Sequence, residues 1–342
     1  MESLTAVVLA AGQGTRMKSQ WPKVLHKVCG VPMAEQVIRT VKKAGSEKCV
    51  VVTGFKEELV RESLAGENIY FVHQEEQLGT AHAVMQAVPL FKDNRDGYVL
   101  VVCGDTPLLC RETIEGLVRA CRDHDGAAAV LTAIMDNPFG YGRVLRDAKG
   151  HMISIVEQKD GTPDQLAVHE INTGTYVFKT GALLDSLEKV DNKNAQGEYY
   201  LTDVFEILIK AGRKVIPVAA EDASETMGVN SRIQLAEADR ILRIRKAEDL
   251  MAAGVTVTDP YSTYIEQDVE VGQDTVILPG TMLQGKTKVG KNCTLGPDTQ
   301  LTDVICGDGN HLNRVYAHSC ELGDNNEIGP FVHLRPETCL HN

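Results

Sequence analysis

Short apolar runs alternate with longer amphipathic stretches over the first 230 residues. The apolar runs cover residues 6–10, 49–53, 98–102 and 214–218, and they are rich in valine. The amphipathic stretches between them, of helical length, cover residues 33–44, 79–88, 112–124 and 202–212. Apolar strands separated by such helices predict an α/β domain with a mostly parallel, Rossmann-like sheet whose two faces are both covered.

A long helix is predicted next, over residues 231–253. Ser231 is a suitable N-cap, apolar residues recur at helical spacing, and Gly254 is a suitable stop. We therefore divide the chain into a domain at 1–230, a linker helix at 231–254 and a C-terminal domain at 255–342.

The C-terminal domain repeats every six residues. Aliphatic side chains stand at strict six-residue intervals, at Ile265, Val271, Ile277, Leu283, Val289, Leu295 and Leu301. A second register holds Leu322, Ile328, Leu334 and Leu340, and the stretch 302–321 between them is predicted to be an inserted or irregular coil. This period predicts a left-handed parallel β-helix of hexapeptide repeats, with about four coils after Ile265.

Composition and charge exclude several classes of protein. The 342 residues are 43% hydrophobic and 24% charged, which is typical of globular domains rather than disordered chains. The net charge of −12 disfavours binding to nucleic acid or to an anionic membrane surface. No run approaches eighteen apolar residues and Met1 to Thr5 lack a basic region, so we expect neither a membrane span nor a signal peptide. Nine cysteines without a paired spacing suggest a reducing cytoplasm.

A glycine-containing loop follows the first predicted strand. It consists of Leu9, Ala10, Ala11, Gly12, Gln13, Gly14, Thr15 and Arg16. Small residues let backbone amides approach a phosphate closely, although a Gly-x-Gly can also be a simple turn. It is neither a dinucleotide fingerprint nor a Walker loop. Lys23 follows Pro22 shortly downstream, and the combination resembles the sugar-1-phosphate nucleotidyltransferase family.

This resemblance implies roles for two further motifs. Gln74, Gln77, Gly79 and Thr80 would contact uracil, and Thr80 can equally cap a helix. Gly104 and Asp105 follow the apolar run at 98–102, where a carboxylate would face the ligand-bearing edge of the sheet. Asp105 would then bind Mg²⁺, although an aspartate after a strand is often only a turn residue.

The remaining motifs lie later in the chain. Gly142, Glu157 and Asn172 would contact an N-acetylated sugar, and Asn230 would be the second metal ligand or a helix cap. Arg16 would hold the leaving pyrophosphate and Lys23 would neutralise the reacting phosphates. The resemblance further implies that Leu9 to Gly12, Gly14 and Thr15 bind the nucleotide.

The order of these motifs, with the helix and the repeats, resembles the bacterial N-acetylglucosamine-1-phosphate uridyltransferase family over residues 5–340. The resemblance implies a cytoplasmic, homotrimeric enzyme that uses Mg²⁺, UTP and N-acetylglucosamine 1-phosphate to make UDP-N-acetylglucosamine. Acetyl transfer, the family's second activity, is not expected from residues 255–342. Two alternatives stay open: a sister nucleotidyltransferase with another base or sugar, and a non-catalytic regulatory subunit.

Overall fold

The computed structural model describes residues 3–66 and 68–341. The outer ends of the predicted first and last domains, Met1 and Asn342, lie outside the described residues, as do Glu2 and Glu67. Contacts divide the described chain into two units. One unit holds the residues up to 26 together with 32–234, and the other holds 27–31 together with the residues from 235 onward.

Eleven strands precede the long helix in the described chain. They are β1 (Leu4–Leu9), β2 (Lys27–Val28), β3 (Val31–Pro32), β4 (Lys48–Thr53), β5 (Ile69–His73), β6 (Tyr98–Cys103), β7 (Ala128–Ile134), β8 (Gly142–Arg146), β9 (Met152–Val156), β10 (Glu170–Lys179) and β11 (Val215–Ala219). The α-helices are α1 (Met33–Lys43), α2 (Glu57–Leu64), α3 (Thr80–Ala87), α4 (Arg111–Asp123), α5 (Pro163–Leu166), α6 (Thr180–Leu187), α7 (Asp203–Lys210) and α8 (Arg232–Ala252). Short 3₁₀ turns occur at Thr15–Met17, Lys23–Leu25, Val88–Leu90 and Ala223–Thr226.

Nine of these strands form one mixed sheet in the first unit. Its main order is β11-β7-β10-β6-β1-β4-β5, and β8 pairs with β10 and with β9. The pairs β6–β1, β1–β4, β4–β5 and β11–β7 are parallel, whereas β10 is antiparallel to both of its main neighbours. The predicted mostly parallel, Rossmann-like sheet is thus confirmed.

Alternating side chains of the central strands feed two separate cores. Val7, Val50 and Val101 point to one face, where α3, α6 and α7 pack. Val8, Val51 and Val102 point to the other face, where α1, α2 and α4 pack. Burial on both faces explains why these strands are continuous apolar runs rather than alternating ones.

The second unit contains fifteen short parallel strands after α8. They are β12 (Thr256–Val257), β13 (Tyr264–Ile265), β14 (Glu270–Val271), β15 (Val276–Ile277), β16 (Met282–Gln284), β17 (Lys288–Val289), β18 (Thr294–Leu295), β19 (Gln300–Thr302), β20 (Ile305–Cys306), β21 (His311–Leu312), β22 (Val315–His318), β23 (Glu321–Leu322), β24 (Glu327–Ile328), β25 (Val332–Leu334) and β26 (Cys339–Leu340). They stack into three five-stranded sheets, which confirms the left-handed β-helix fold.

The expected irregular coil at 302–321 is wrong, because the ladders continue through it without interruption. Cys306 pairs with Val289 on one side and with Leu322 on the other. The six-residue count fails only because some corners are one residue shorter, so that Leu301 is followed inside by Cys306. The sheets hold five strands each, so the chain builds five coils rather than about four from Ile265, and the first begins at Thr256.

Candidate active site

The carboxyl ends of β1, β4, β5 and β6 lie side by side in the sheet, and the predicted motifs follow three of these strands. A cavity of about 350 Å³ opens at this edge. Its lining includes ten of the predicted site residues: Leu9, Ala10, Ala11, Gly12, Lys23, Gln74, Gln77, Gly79, Thr80 and Asp105. Cys103 and Glu198 also line it. The fold therefore gathers residues from distant parts of the chain around one space large enough for a nucleotide base and ribose.

The loop after β1 is shaped by its glycines. Gly14 has a φ of 69°, and a β-carbon there would lie 2.5 Å from Cβ of Lys23. Its carbonyl accepts a hydrogen bond from the Met17 amide at 2.9 Å, which opens the short 3₁₀ turn. Gly12, which lines the cavity, is exposed, and Arg16 is exposed but does not line the cavity. Only glycine combines this backbone conformation with so close an approach of Lys23.

Lys23 joins the two predicted metal ligands. Its ammonium group forms a short ion pair with Asp105 and donates to Oδ1 of Asn230 at 2.9 Å. The side chains of Lys23 and Asp105 are only 14% and 16% exposed, so water screens their attraction weakly. Asn230 is held from behind, because its Nδ2 donates to the Gly228 carbonyl at 3.3 Å and the Val229 amide donates to the Asp105 carbonyl at 2.8 Å.

The oxygens of Asp105 and Asn230 suit a divalent cation. They already converge on one cationic atom, Nζ of Lys23, and they are the hard oxygen donors that Mg²⁺ prefers. Two protein oxygens leave coordination positions for phosphates. Elsewhere in the described chain, no group of three or more His, Cys, Asp or Glu side chains is arranged to hold a metal ion. The helix cap is Ser231, whose Oγ accepts from the Gln234 amide at 3.2 Å, so Asn230 is not needed for capping.

The predicted uracil-contacting residues form one wall of the cavity. The Gln74 amide nitrogen donates to the Gly79 carbonyl at 3.1 Å, and the Gln77 amide nitrogen donates to the Ala11 carbonyl at 2.8 Å. Thr80 does not cap α3, because its hydroxyl oxygen accepts from the Leu201 amide at 3.0 Å. A β-carbon on Gly79 would lie 2.5 Å from the Tyr199 carbonyl oxygen, which ties this wall to residues 199–201.

Gly142, Glu157 and Asn172 lie together, but none of the three lines this cavity. Gly142 pairs with Asn172 across β8 and β10, and a β-carbon on Gly142 would lie 3.4 Å from Oε1 of Glu157. Burial raises the pKa of the Glu157 carboxyl above its ordinary value, and the Thr202 hydroxyl, which donates to Oε1 at 3.2 Å, opposes that shift. Glu157 also borders a second cavity of about 450 Å³, where Tyr200 and Asp203 lie.

Sequence reasoning did not find three residues around these sites. Glu198 lines the nucleotide-sized cavity and Thr202 holds Glu157, yet both lie far along the chain from every recognised motif. The buried Arg143 donates to Gln158 Oε1 at 3.1 Å, and the Gly140 amide donates to the same oxygen at 2.9 Å, which fixes the loop before Gly142. The one feature of the sequence that points to Arg143 is its position directly after Gly142, in Tyr141-Gly142-Arg143.

One predicted residue acts on the backbone rather than the cavity. The Gly104 amide donates to the Leu9 carbonyl at 2.9 Å, and a β-carbon on Gly104 would lie 3.2 Å from that oxygen. Gly104 therefore keeps the ends of β1 and β6 close and aims Asp105 into the site. Next to it, burial raises the pKa of Cys103 to about 12, so its thiol stays neutral.

Known proteins resemble the chain along its length. Residues 5–229 match the Nucleotidyl transferase family. The bifunctional protein GlmU of Geobacillus sp. (strain WCH70) is 49% identical over 333 residues, which cover 97% of this chain and 72% of that protein. The bifunctional protein GlmU of Listeria welshimeri is 46% identical over 342 residues, which cover 100% of this chain and 74% of that protein. Within residues 3–66 and 68–341, no helix has the length and apolar character that a membrane span requires.

Proposed function

The chain belongs to the Nucleotidyl transferase family and to the bifunctional GlmU proteins within it, and from this premise we propose how its site works. The reaction is uridylyl transfer from UTP to N-acetylglucosamine 1-phosphate, which gives UDP-N-acetylglucosamine and pyrophosphate. The observation that supports it best is the meeting of Lys23, Asp105 and Asn230 beside a cavity walled by Gln74 and Gln77.

In the proposed mechanism, an oxygen of the sugar phosphate attacks the α-phosphorus of UTP. The bond from that phosphorus to the β-phosphate oxygen breaks, and pyrophosphate leaves with its electron pair. The nucleophile is already an anion, so no general base is needed. The barrier is repulsion between anions and charge that accumulates on the transferred group, so positioning and cationic groups account for most of the catalysis.

Each side chain has one task in this proposal. Lys23 neutralises the reacting phosphates, while Arg16 and the amides of residues 12–15 hold the leaving pyrophosphate. Gln74, Gln77, Gly79 and Thr80 bind uracil. Gly142, Glu157 and Asn172 bind the sugar, where the carboxylate of Glu157 accepts from hydroxyl groups.

The divalent metal of the family would be Mg²⁺ in this proposal, held by Asp105 and Asn230. When bound, the ion would supply positive charge to the phosphates of both substrates. The two oxygens that would hold the ion are the ones that Lys23 contacts in this structure, and Lys23 would then neutralise the phosphates. The lysine and the ion are thus alternative cations for the same two oxygens.

The location and assembly of the protein complete the proposal. None of the nine cysteines, all of which lie in the described residues, forms a disulfide, which supports a cytoplasmic location. The β-helix supports a homotrimer, and light scattering can measure the mass of that assembly in solution. Neither feature affects the chemistry proposed above.

The direct test is pyrophosphate release by the purified protein with Mg²⁺, UTP and a panel of hexose and hexosamine 1-phosphates. We expect release with N-acetylglucosamine 1-phosphate and little with glucose 1-phosphate. ATP and dTTP in place of UTP test the sister enzymes with other bases. Absence of release with every pair would support the regulatory alternative and contradict the proposal.

A further inference from the structure

Gln74 has only one amide orientation that its surroundings accept. It is buried, and its amide nitrogen lies 3.1 Å from the Gly79 carbonyl oxygen and 3.1 Å from Nδ1 of His82. A backbone carbonyl only accepts hydrogen bonds, so the group that faces it must be the NH₂. Within the described chain nothing donates to the amide oxygen Oε1, which is left as an acceptor for a ligand in the cavity that Gln74 lines.

The second amide hydrogen determines the state of His82. One hydrogen of the Gln74 NH₂ goes to Gly79, so the other points at Nδ1, which must then carry a lone pair. Neutral His82 therefore has its proton on Nε2. On that side the Gln86 amide nitrogen lies 3.2 Å away, and it also lies 3.1 Å from the His82 carbonyl.

With a hydrogen on Nε2 of His82, the Gln86 NH₂ group would face another donor. One of the two glutamines must therefore change its orientation. Gln86 is only partly buried on the side of α3 and can rotate its amide away. Gln74 cannot, because a flipped amide would place its oxygen against the Gly79 carbonyl. The buried hydrogen bond from Gln74 to His82 is therefore kept, and Nδ1 of His82 accepts it.

This arrangement distinguishes two pyrimidines. Uracil carries a hydrogen on N3, which would pair with the Gln74 oxygen, whereas cytosine has a lone pair on N3 that would oppose it. We infer that His82 is a positioning residue that orients Gln74 and thereby sets the preference for a uracil over a cytosine nucleotide. The inference rests on the proposed function, in which Gln74 reads the base.

His82 acts through Gln74 rather than on the nucleotide. It is not among the residues that line the cavity. Its helix is fixed at the first turn, because the Ala81 amide donates to the Tyr199 carbonyl at 2.9 Å and Thr80 accepts from Leu201. The His82 ring also lies beside that of Tyr199, with centroids 6.4 Å apart. The imidazole is thus a rigid support behind a base-reading amide.

The test compares three variants for kcat and KM with UTP and CTP at one sugar phosphate concentration. His82→Asn keeps an acceptor near Nδ1, His82→Phe removes it, and Gln86→Leu is the matched control on the other side of the ring. In His82→Phe we expect the KM for UTP to rise about tenfold and the UTP/CTP ratio of kcat/KM to fall about tenfold. The KM for the sugar phosphate should stay constant, and His82→Asn and Gln86→Leu should resemble the wild type.

Two results would overturn the inference. One is an unchanged UTP/CTP ratio in His82→Phe, and the other is an equal loss with both nucleotides and with the sugar phosphate, which a merely structural role would give. If His82→Phe fails to fold by circular dichroism, His82→Gln replaces it, since its amide reaches the Nε2 position and leaves Nδ1 empty. His82→Gln with wild-type selectivity would overturn the inference as well.

Gln74→Leu separates this inference from the proposed function. Wild-type protein that releases no pyrophosphate contradicts the function itself. If the wild-type protein is active but Gln74→Leu leaves the UTP/CTP ratio of kcat/KM unchanged, the proposed function stands. The roles of Gln74 and of His82 are then overturned.

Discussion

At the scale of single residues, the ammonium group of Lys23 is the cation at the centre of the candidate site. Lys23 contacts both Asp105 and Asn230, and the loop glycine Gly14 leaves room for its side chain. Without substrates, the positive charge of Lys23 would stabilise the Asp105 carboxylate. With substrates bound, it would stabilise their phosphates. Lys23 therefore has a structural role and a proposed catalytic one, and measuring folding beside activity separates them.

Lys23→Ala should lower kcat at least about a hundredfold, because it removes a preorganised cation from the reacting phosphates. Lys23→Met, which keeps the aliphatic stem, should lose as much activity, since charge rather than packing is needed. Turnover and circular dichroism should be measured on both variants. Turnover of Lys23→Ala within threefold of the wild type would remove Lys23 from the mechanism.

Asp105→Ala should abolish Mg²⁺-dependent activity, because Asn230 and water alone bind the ion weakly. Asp105→Glu should retain part of it at raised Mg²⁺, since a carboxylate remains. The measurement is a Mg²⁺ titration of pyrophosphate release for each variant. An Asp105→Ala enzyme with the Mg²⁺ dependence of the wild type would contradict the ligand role.

At the scale of elements, the valine-rich strands were predictable and strands of other composition were not. β1, β4 and β6 are apolar because both faces are covered, so their runs are visible in the sequence. β7 begins with two alanines, which have low strand propensity, and β10 carries threonine, asparagine and glycine inside the sheet. Their burial depends on partners far along the chain.

The same limit applies to the site. Motifs that follow a buried strand, such as Gly104-Asp105, could be placed because strand ends meet at one edge of the sheet. Thr202 and His82 could not be placed, because each matters through one hydrogen-bonded neighbour whose side chain only the fold brings close.

Asp203, the first residue of α7, has its carboxyl group in surroundings that disfavour its charged form. Burial, and then the charges of Glu206, Asp191 and Asp160, raise the pKa of Asp203 from 3.8 to about 6. A carboxyl whose pKa is higher in the folded state favours folding when protonated. That contribution is fully present below the unfolded pKa and is lost as pH rises through about 6.

Asp203→Asn imitates the protonated group, so it should stabilise the protein at neutral pH and have little effect near pH 4. Because Asp203 is only half-buried, we expect about 1 kcal/mol at pH 7 rather than the full value of the shift. Denaturant unfolding at pH 4 and pH 7 measures this, with the exposed Asp164→Asn as control. An equal change in unfolding free energy at both pH values would contradict the argument.

At the scale of the whole molecule, the two units have separate cores. The first unit has its apolar residues on the two faces of the mixed sheet, and the second has them inside the β-helix, where Leu283, Leu295 and Leu301 are fully buried. Within the coils, each inward side chain packs on the ones above and below it, such as Leu301 between Leu283 and Ala317. Stability of the second unit should therefore depend on its own ladder of side chains.

Leu301→Ala tests that separation, because it opens a cavity in the middle of the ladder and nothing in the catalytic mechanism uses Leu301. We expect it to lower the stability of the β-helix by about 2–5 kcal/mol. His311→Ala, on the exposed outer face of the neighbouring sheet, should change stability little. Pyrophosphate release at 25 °C should stay near the wild-type rate in both variants, whereas thermal unfolding of Leu301→Ala should show an earlier transition. A Leu301→Ala protein that loses as much activity as Lys23→Ala while its β-helix remains folded would show that the catalytic site depends on the ladder.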